Sequence, residues 1–182
     1  MTAAVGIGYR DCMTYTNAQR DFRDKDTAYA ELVSELTGLI GGERDAIANA
    51  ANSAALLFDA LPEVNWVGYY FLRDGELVVG PFQGKPACVR IAMGAGVCGT
   101  AAQRRQTLIV EDVQNFPGHI VCDPASRSEI VVPLVAGQRL LGVLDLDSPR
   151  PGRFDAADAR GLERLARRLV PAIAAAGSDA AE

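Results

Sequence analysis

The apolar residues of this chain change their spacing near residue 65, and that change limits the folds open to it. Before it, Tyr29, Leu32, Val33, Leu36 and Ile40 recur at helical intervals, as do Ile47, Ala50, Ala51, Ala54, Phe58 and Leu61. The first of these helices is expected from Asp26 and is stopped by Gly41-Gly42; the second ends at Pro62. From Asn65 onward the chain instead shows short runs of branched and aromatic residues, at 65–72, 77–82, 87–92, 107–110, 130–135 and 140–147. Such runs read as strands. Asp74-Gly75 and Ala136-Gly137-Gln138 supply hairpin turns. Gly94, Gly96 and Gly99 lead into a short helix at about 97–104. A last helix starts at Asp155, with Asp158 favouring its positive end, and Leu162, Leu165, Ala166, Leu169 and Ile173 form its core face. Pro171 inside that pattern is expected to kink or end it. Helices, a block of strands and a closing helix predict an α+β domain, a central antiparallel sheet with helices packed on it.

One such domain accounts for the length. At 182 residues the chain can bury roughly 70% of its unfolded surface. With 49% apolar and 23% charged residues it needs neither disulfides nor a metal to hold a core. Residues 1–25 lack clear periodicity and read as an arm or short helix, residues 26–176 as the domain, and 177–182 as a flexible tail. The net charge of -5 argues against nucleic acid as a partner. No apolar stretch is long enough to span a bilayer, and the N-terminus carries no signal-peptide pattern, so a cytoplasmic location is expected. In that compartment thiols are normally reduced, and cysteines are redox-active, catalytic or simply buried.

The cysteines are Cys12, Cys88, Cys98 and Cys122. Cys88 and Cys98 taken alone suit the role of small buried hydrophobes. Cys122 does not, because it lies in a polar loop, residues 111–127, punctuated by Pro117-Gly118 and Asp123-Pro124. Loops of that length in compact domains are usually lids or binding loops. No C-x-x-C pair exists and His119 is the only histidine, so a zinc site is not expected. His119 lies three residues from Cys122; an activating base and a surface histidine are both open, the second being favoured.

Acids and aromatics add to this. Asp145 and Asp147 end a strand on the face of Leu141 and Val143, and Glu129 starts the strand expected beside it. Acids that continue an apolar face either reach water or line a polar pocket. Clustered carboxyls repel one another, which keeps a proton on at least one of them near neutral pH. Trp66 and Tyr70 share a face with Gly68 between them, a pattern of core packing or of an apolar slot flanked by two rings; core packing is the simpler reading.

These residues fall in segments that resemble a known family. N-W-V-G-Y-Y from Asn65, G-P-F-Q-G-K-P-A-C ending at Cys88, G-A-G-V-C-G-T-A around Cys98 and L-D-L-D-S ending at Ser148 closely resemble the free methionine-(R)-sulfoxide reductases, which are GAF-domain enzymes. The resemblance runs from about residue 26 to 175. It rests most on the G-P-F-Q-G-K-P-A-C segment and on the cysteine spacing of ten and then twenty-four residues.

The resemblance implies a GAF-type fold and a thiol-dependent reduction of free methionine sulfoxide. Cys122 would attack, Cys88 would be the main resolving cysteine and Cys98 a possible second one. Glu129, Asp145 and Asp147 would form the acidic pocket, one of them giving the proton that makes the sulfoxide sulfur electrophilic. Trp66 and Tyr70 would wall in the substrate methyl group. A sulfenic acid on Cys122 would condense to a disulfide, which thioredoxin, supplied by NADPH through thioredoxin reductase, would reduce. No bound cofactor is implied, and a homodimer is. Cys12 matches nothing in the family's motifs. Two rival readings use the same fold: a GAF module that binds a small molecule or senses redox state without turnover, and a structural dimerisation domain. The first leaves the acid cluster without a purpose; the second also leaves the loop cysteine without one.

Overall fold

The computed structural model describes residues 20–174. Residues 1–19, with Cys12 and most of the expected arm, and the expected tail at 177–182 lie outside the described residues. Helix α1 (Lys25–Ile40) is capped by Asp24, whose side chain accepts from the Thr27 N–H, and α2 (Ala46–Ala60) by Asp45, which accepts from that of Ala48. Then come strands β1 (Trp66–Arg73), β2 (Glu76–Gly84) and β3 (Arg90–Ala92), helix α3 (Gly96–Arg104), strand β4 (Leu108–Val110), a 3-10 turn (Val113–Asn115), strands β5 (Ser128–Ala136) and β6 (Arg139–Ser148), and helix α4 (Ala156–Ala174).

The six strands form one antiparallel sheet in the order β3-β2-β1-β6-β5-β4. The β1–β2 hairpin closes through Asp74-Gly75, both at positive φ, the geometry a two-residue turn needs to match strand twist. Gly80-Pro81 makes a bulge opposite Tyr69, a position where the missing proline N–H does not interrupt the ladder.

Alternation divides the core in two. Val67, Tyr69, Ile130, Val132, Leu144 and Leu146 pack under α1, α2 and α4. Trp66, Tyr70, Val131 and Val143 face the other way, toward α3 and the loop after β4. The alternation expected for Leu141 fails at a second irregularity. β6 bulges beside Gly142, where a Cβ would come within 2.0 Å of the Tyr70 carbonyl oxygen, so Leu140 takes the α3 side and Leu141 the helical side.

The expected face of α2 is also rotated. Ile47 is 51% exposed and Phe58 lies at the surface, whereas Ala50, Ser53, Ala54, Leu56 and Leu57 are buried. The Ser53 hydroxyl meets the Tyr69 hydroxyl at 2.8 Å, a pairing that turns the polar-looking side of the helix inward. Pro171 does not end α4, which continues to Ala174. No helix among the described residues is long and apolar enough to cross a membrane.

A buried ionic knot joins the first and last helices. The Asp158 side chain, fully buried, accepts from the Tyr29 hydroxyl at 2.8 Å, from Lys25 at 2.6 Å and from the Arg153 guanidinium at 3.2 Å. Breaking such a knot from one side strands the buried Arg153. Asp158→Ala is expected to lower the unfolding free energy by about 3–5 kcal/mol, read as a shift in the urea midpoint; a loss near zero would show that the knot holds nothing.

Candidate active site

The floor of the site is set by strand register. Glu129 on β5 stands opposite Asp147 on β6, which stands opposite Trp66 on β1. One step along, Val131, Asp145 and Gly68 form the next row, and Tyr70 and Val143 pair in the one after. Period two therefore delivers three acids and two aromatic rings to one face of the sheet.

Gly68 leaves no hole between those rings. A Cβ there would lie 2.4 Å from the Trp66 ring and 2.4 Å from Phe82 Cβ. The indole itself fills the space, stacked at 5.3 Å on Phe82 and at 5.9 Å on Tyr70, with its N–H donating to the Lys85 carbonyl at 3.0 Å. Core packing, the reading favoured from the sequence, thus holds at Gly68, and the rings form a continuous aromatic wall along the cleft.

Helix α3 and the loop roof this floor. Gly99 lets α3 sit on β3, since a Cβ there would be 2.3 Å from the Ala92 carbonyl oxygen. That seat buries Cys98 in the first turn of α3, with its thiol 3.8 Å from Glu129 Oε1. His119 is not the surface residue favoured from the sequence: it reaches into the cleft half-buried, its Nε2 4.0 Å from Glu129 Oε2, and burial lowers its proton affinity, so it faces the acid as a neutral ring. Trp66, Tyr70, Cys98, Cys122, Glu129 and Asp145 all line a cleft that opens to solvent.

Burial controls the protonation of the floor. Glu129 and Asp145 are each only 6% exposed. Burial, then the charges of Asp145 and Asp147, push Glu129 well above the carboxylate range. Burial and then Asp145 do the same to Asp147, and burial lifts Asp145 to about 7. Asp145 Oδ1 is buried with no hydrogen-bond partner among the described residues, so it is free to meet a ligand. Cys98, Glu129 and Asp145 offer donor atoms within 4.8 Å of one another. Burial and the two acids also raise the Cys98 thiol, so protons compete with any cation at this trio near neutral pH.

The long loop crosses the cleft to bring Cys122 to the segment before β3. That strand is shorter than residues 87–92, which leaves Cys88 in irregular chain ahead of it. The Cys122 and Cys88 sulfurs lie 2.7 Å apart, Cys122 exposed and Cys88 half-buried. Burial of its sulfur, followed by the Cys88 contact, pushes the Cys122 thiol up to about 12, so it rests protonated. Cys98 is placed with the acids rather than with this sulfur pair.

The sequence reading did not single out the clamp that holds this arrangement. Asp123, next to Cys122, accepts from the Lys85 ammonium at 3.2 Å, from the Asn65 amide at 3.3 Å and from the Ala125 N–H at 2.9 Å. Asn65 also donates to the Ser126 hydroxyl at 3.1 Å. The loop is thereby tied to the start of β1 and the end of β2. Lys85 and Asn65 lie inside two of the segments that carry the resemblance, which was the available signal.

A sequence profile of the GAF domain matches residues 45–174. The chain is 50% identical over 151 residues to the free methionine-R-sulfoxide reductase of Escherichia coli (strain K12), covering 83% of this chain and 92% of that protein. It is 37% identical over 177 residues to the enzyme of the same name from Saccharomyces cerevisiae, covering 93% and 96%. The solved free methionine-R-sulfoxide reductase of Neisseria meningitidis in complex with its substrate superposes with a TM-score of 0.83 at 41% identity, covering 90% of this chain and 97% of that one.

The raised carboxyls make stability depend on pH. A carboxyl whose folded pKa exceeds its unfolded value favours the folded state fully below the unfolded pKa, and that contribution is lost as pH rises through the folded value. For Asp145 the window runs from about pH 4 to about 7. Asp145→Asn is expected to weaken the fall in unfolding free energy between pH 4.5 and 7.5 and to raise stability at pH 7.5 by about 1–4 kcal/mol. Urea titrations at the two pH values test this; an undiminished slope in the variant would refute it.

Proposed function

The chain belongs to the free methionine-R-sulfoxide reductases of the GAF-domain family, and on that footing we propose that it reduces free L-methionine-(R)-sulfoxide with Cys122 as nucleophile and Cys88 as its resolving partner. The observation that carries this reading is the meeting of Cys122 and Cys88 at 2.7 Å on a cleft whose floor holds carboxyls protonated near neutral pH.

A protonated carboxyl of the Glu129, Asp145 and Asp147 cluster donates to the sulfoxide oxygen and makes the sulfur electrophilic. The substrate methyl group rests on the Trp66 and Tyr70 wall. Cys122 attacks, the sulfur–oxygen bond breaks, methionine leaves, and the oxygen remains on Cys122 as a sulfenic acid. The sum is one thiol and one sulfoxide giving one thioether and one sulfenic acid, so the proton lost by the thiol balances the one taken up by oxygen. The high proton affinity of Cys122 is then no obstacle, provided its proton leaves as the acid delivers another. The Cys88 thiol condenses with the sulfenic acid, releasing water and forming a disulfide. Cys98, buried beside Glu129, is held in reserve as a second resolving thiol. A thioredoxin-type dithiol reduces the disulfide.

Selection of the free amino acid follows from its two charged ends. An ionised member of the cluster pairs with the substrate ammonium. The N-cap of α3, Ala95, offers no side-chain cap, which leaves first-turn N–H groups for the substrate carboxylate. A peptide-bound residue lacks both charges.

The test is NADPH consumption with thioredoxin and thioredoxin reductase, offering the free R epimer, the free S epimer and a peptide-bound sulfoxide. Turnover is expected with the free R epimer alone, falling to background in Cys122→Ser. A folded, reduced protein that turns over none of the three would sink the reading.

A further inference from the structure

Among the described residues the large apolar side chains left exposed are Ile47, Phe58, Ile109, Val89 and Val121. The two most exposed, Val89 at 64% and Val121 at 63%, are also the two that adjoin the sulfur pair. Val89 follows Cys88 and Val121 precedes Cys122. Neither lines the cleft that holds the acids: Ala87 and Ile120 point into it, and the valines face outward beside them. Both are held in place. The Val89 carbonyl accepts from the Val79 N–H at 3.0 Å, and Asp123 pins the chain immediately after Cys122. Apolar side chains held nearly two-thirds exposed gain little burial within this chain, and flanking the sulfur pair they form a surface for a partner to cover.

We infer that Val89 and Val121 are the docking rim for a thioredoxin-type protein dithiol that reduces the Cys88–Cys122 disulfide. The inference rests on the proposed reductase reading for the identity of that disulfide, and the chemistry of exchange selects the occupant. A thiolate must reach one sulfur in line with the bond it breaks. Cys122 is exposed, Cys88 half-buried and Cys98 buried, so the approach is to Cys122, over the two valines. The partner's first thiolate bonds to Cys122 sulfur and Cys88 leaves, taking up a proton. The partner's second thiolate then attacks the mixed disulfide, closing the partner's own disulfide and releasing Cys122 as a thiol. Two electrons and two protons pass from partner to chain. A small dithiol makes the same exchange without needing the rim, which separates docking from reactivity.

The experiment starts from protein oxidised with hydrogen peroxide to the Cys88–Cys122 disulfide and follows its reduction by thioredoxin and, separately, by dithiothreitol. In the double variant Val89→Ser/Val121→Ser the second-order rate constant with thioredoxin is expected to fall about tenfold or more, while that with dithiothreitol stays within about twofold. Val89→Asp/Val121→Asp should lower the thioredoxin rate at least as far. An unchanged thioredoxin rate in both variants, or an equal fall with both reductants, overturns the inference. Because no sulfoxide takes part, wild-type protein that shows the rim effect but reduces no methionine sulfoxide would uphold the docking surface and sink the reductase reading alone.

Discussion

The pairing of β5 with β6, and of β6 with β1, fixes nearly everything the site can do. A slip of one residue between β5 and β6 would put Glu129 and the two aspartates on opposite faces, and one between β6 and β1 would part the aspartates from Trp66 and Tyr70. In the observed register they share a face with Trp66 and Tyr70 and lie beneath α3. Three carboxyls held there cannot all ionise, because burial and mutual repulsion both oppose charge. The register thus becomes a store of protons, and the shift in each carboxyl is a consequence of backbone pairing.

Such a floor weakens the fold at neutral pH, and the rest of the molecule offsets it away from the site. The Asp158 knot and the continuous apolar layer under α1, α2 and α4 lie on the opposite face of the sheet, separated from the acids by the strands. That division lets one face carry stability while the other carries unsatisfied groups such as Asp145 Oδ1. It also accounts for α3, which needs no large core of its own and serves to seat Cys98 and an uncapped helix start over the acids.

Periodicity in the sequence located the four α-helices and six strands of the described residues, because alternation and helical spacing are local properties; which helices lie on which face of the sheet, and the 3-10 turn at Val113–Asn115, it did not show. It failed where a distant partner decides. Leu141 changes face because Gly142 must let the Tyr70 carbonyl pass, and α2 turns so that Ser53 can meet Tyr69. The side-by-side placement of Glu129 and the two aspartates was legible from the hairpin. At Gly68 core packing was the reading favoured from the sequence; that the indole itself lies across the glycine shows only in the fold. The Lys85–Asp123 and Asn65–Asp123 contacts join residues far apart in the chain and leave no local pattern, although Lys85 and Asn65 sit in the segments that carry the family resemblance.

The two halves of the proposed chemistry impose opposite demands on solvent. Proton donation to a weak base such as a sulfoxide oxygen needs a dry, low-dielectric floor, where a carboxyl keeps its proton at neutral pH. Disulfide exchange needs a sulfur that another molecule can reach. One rigid element could not meet both. A sheet face covered by a helix supplies the first, and the irregular segments carrying Cys88 and Cys122 supply the second. The Asp123 clamp is what allows loop residues to be held as closely as strand residues without being buried with them. In the proposed reaction the exposure of Cys122 and the burial of Glu129 are therefore two requirements, met by different kinds of backbone on either side of a single cleft.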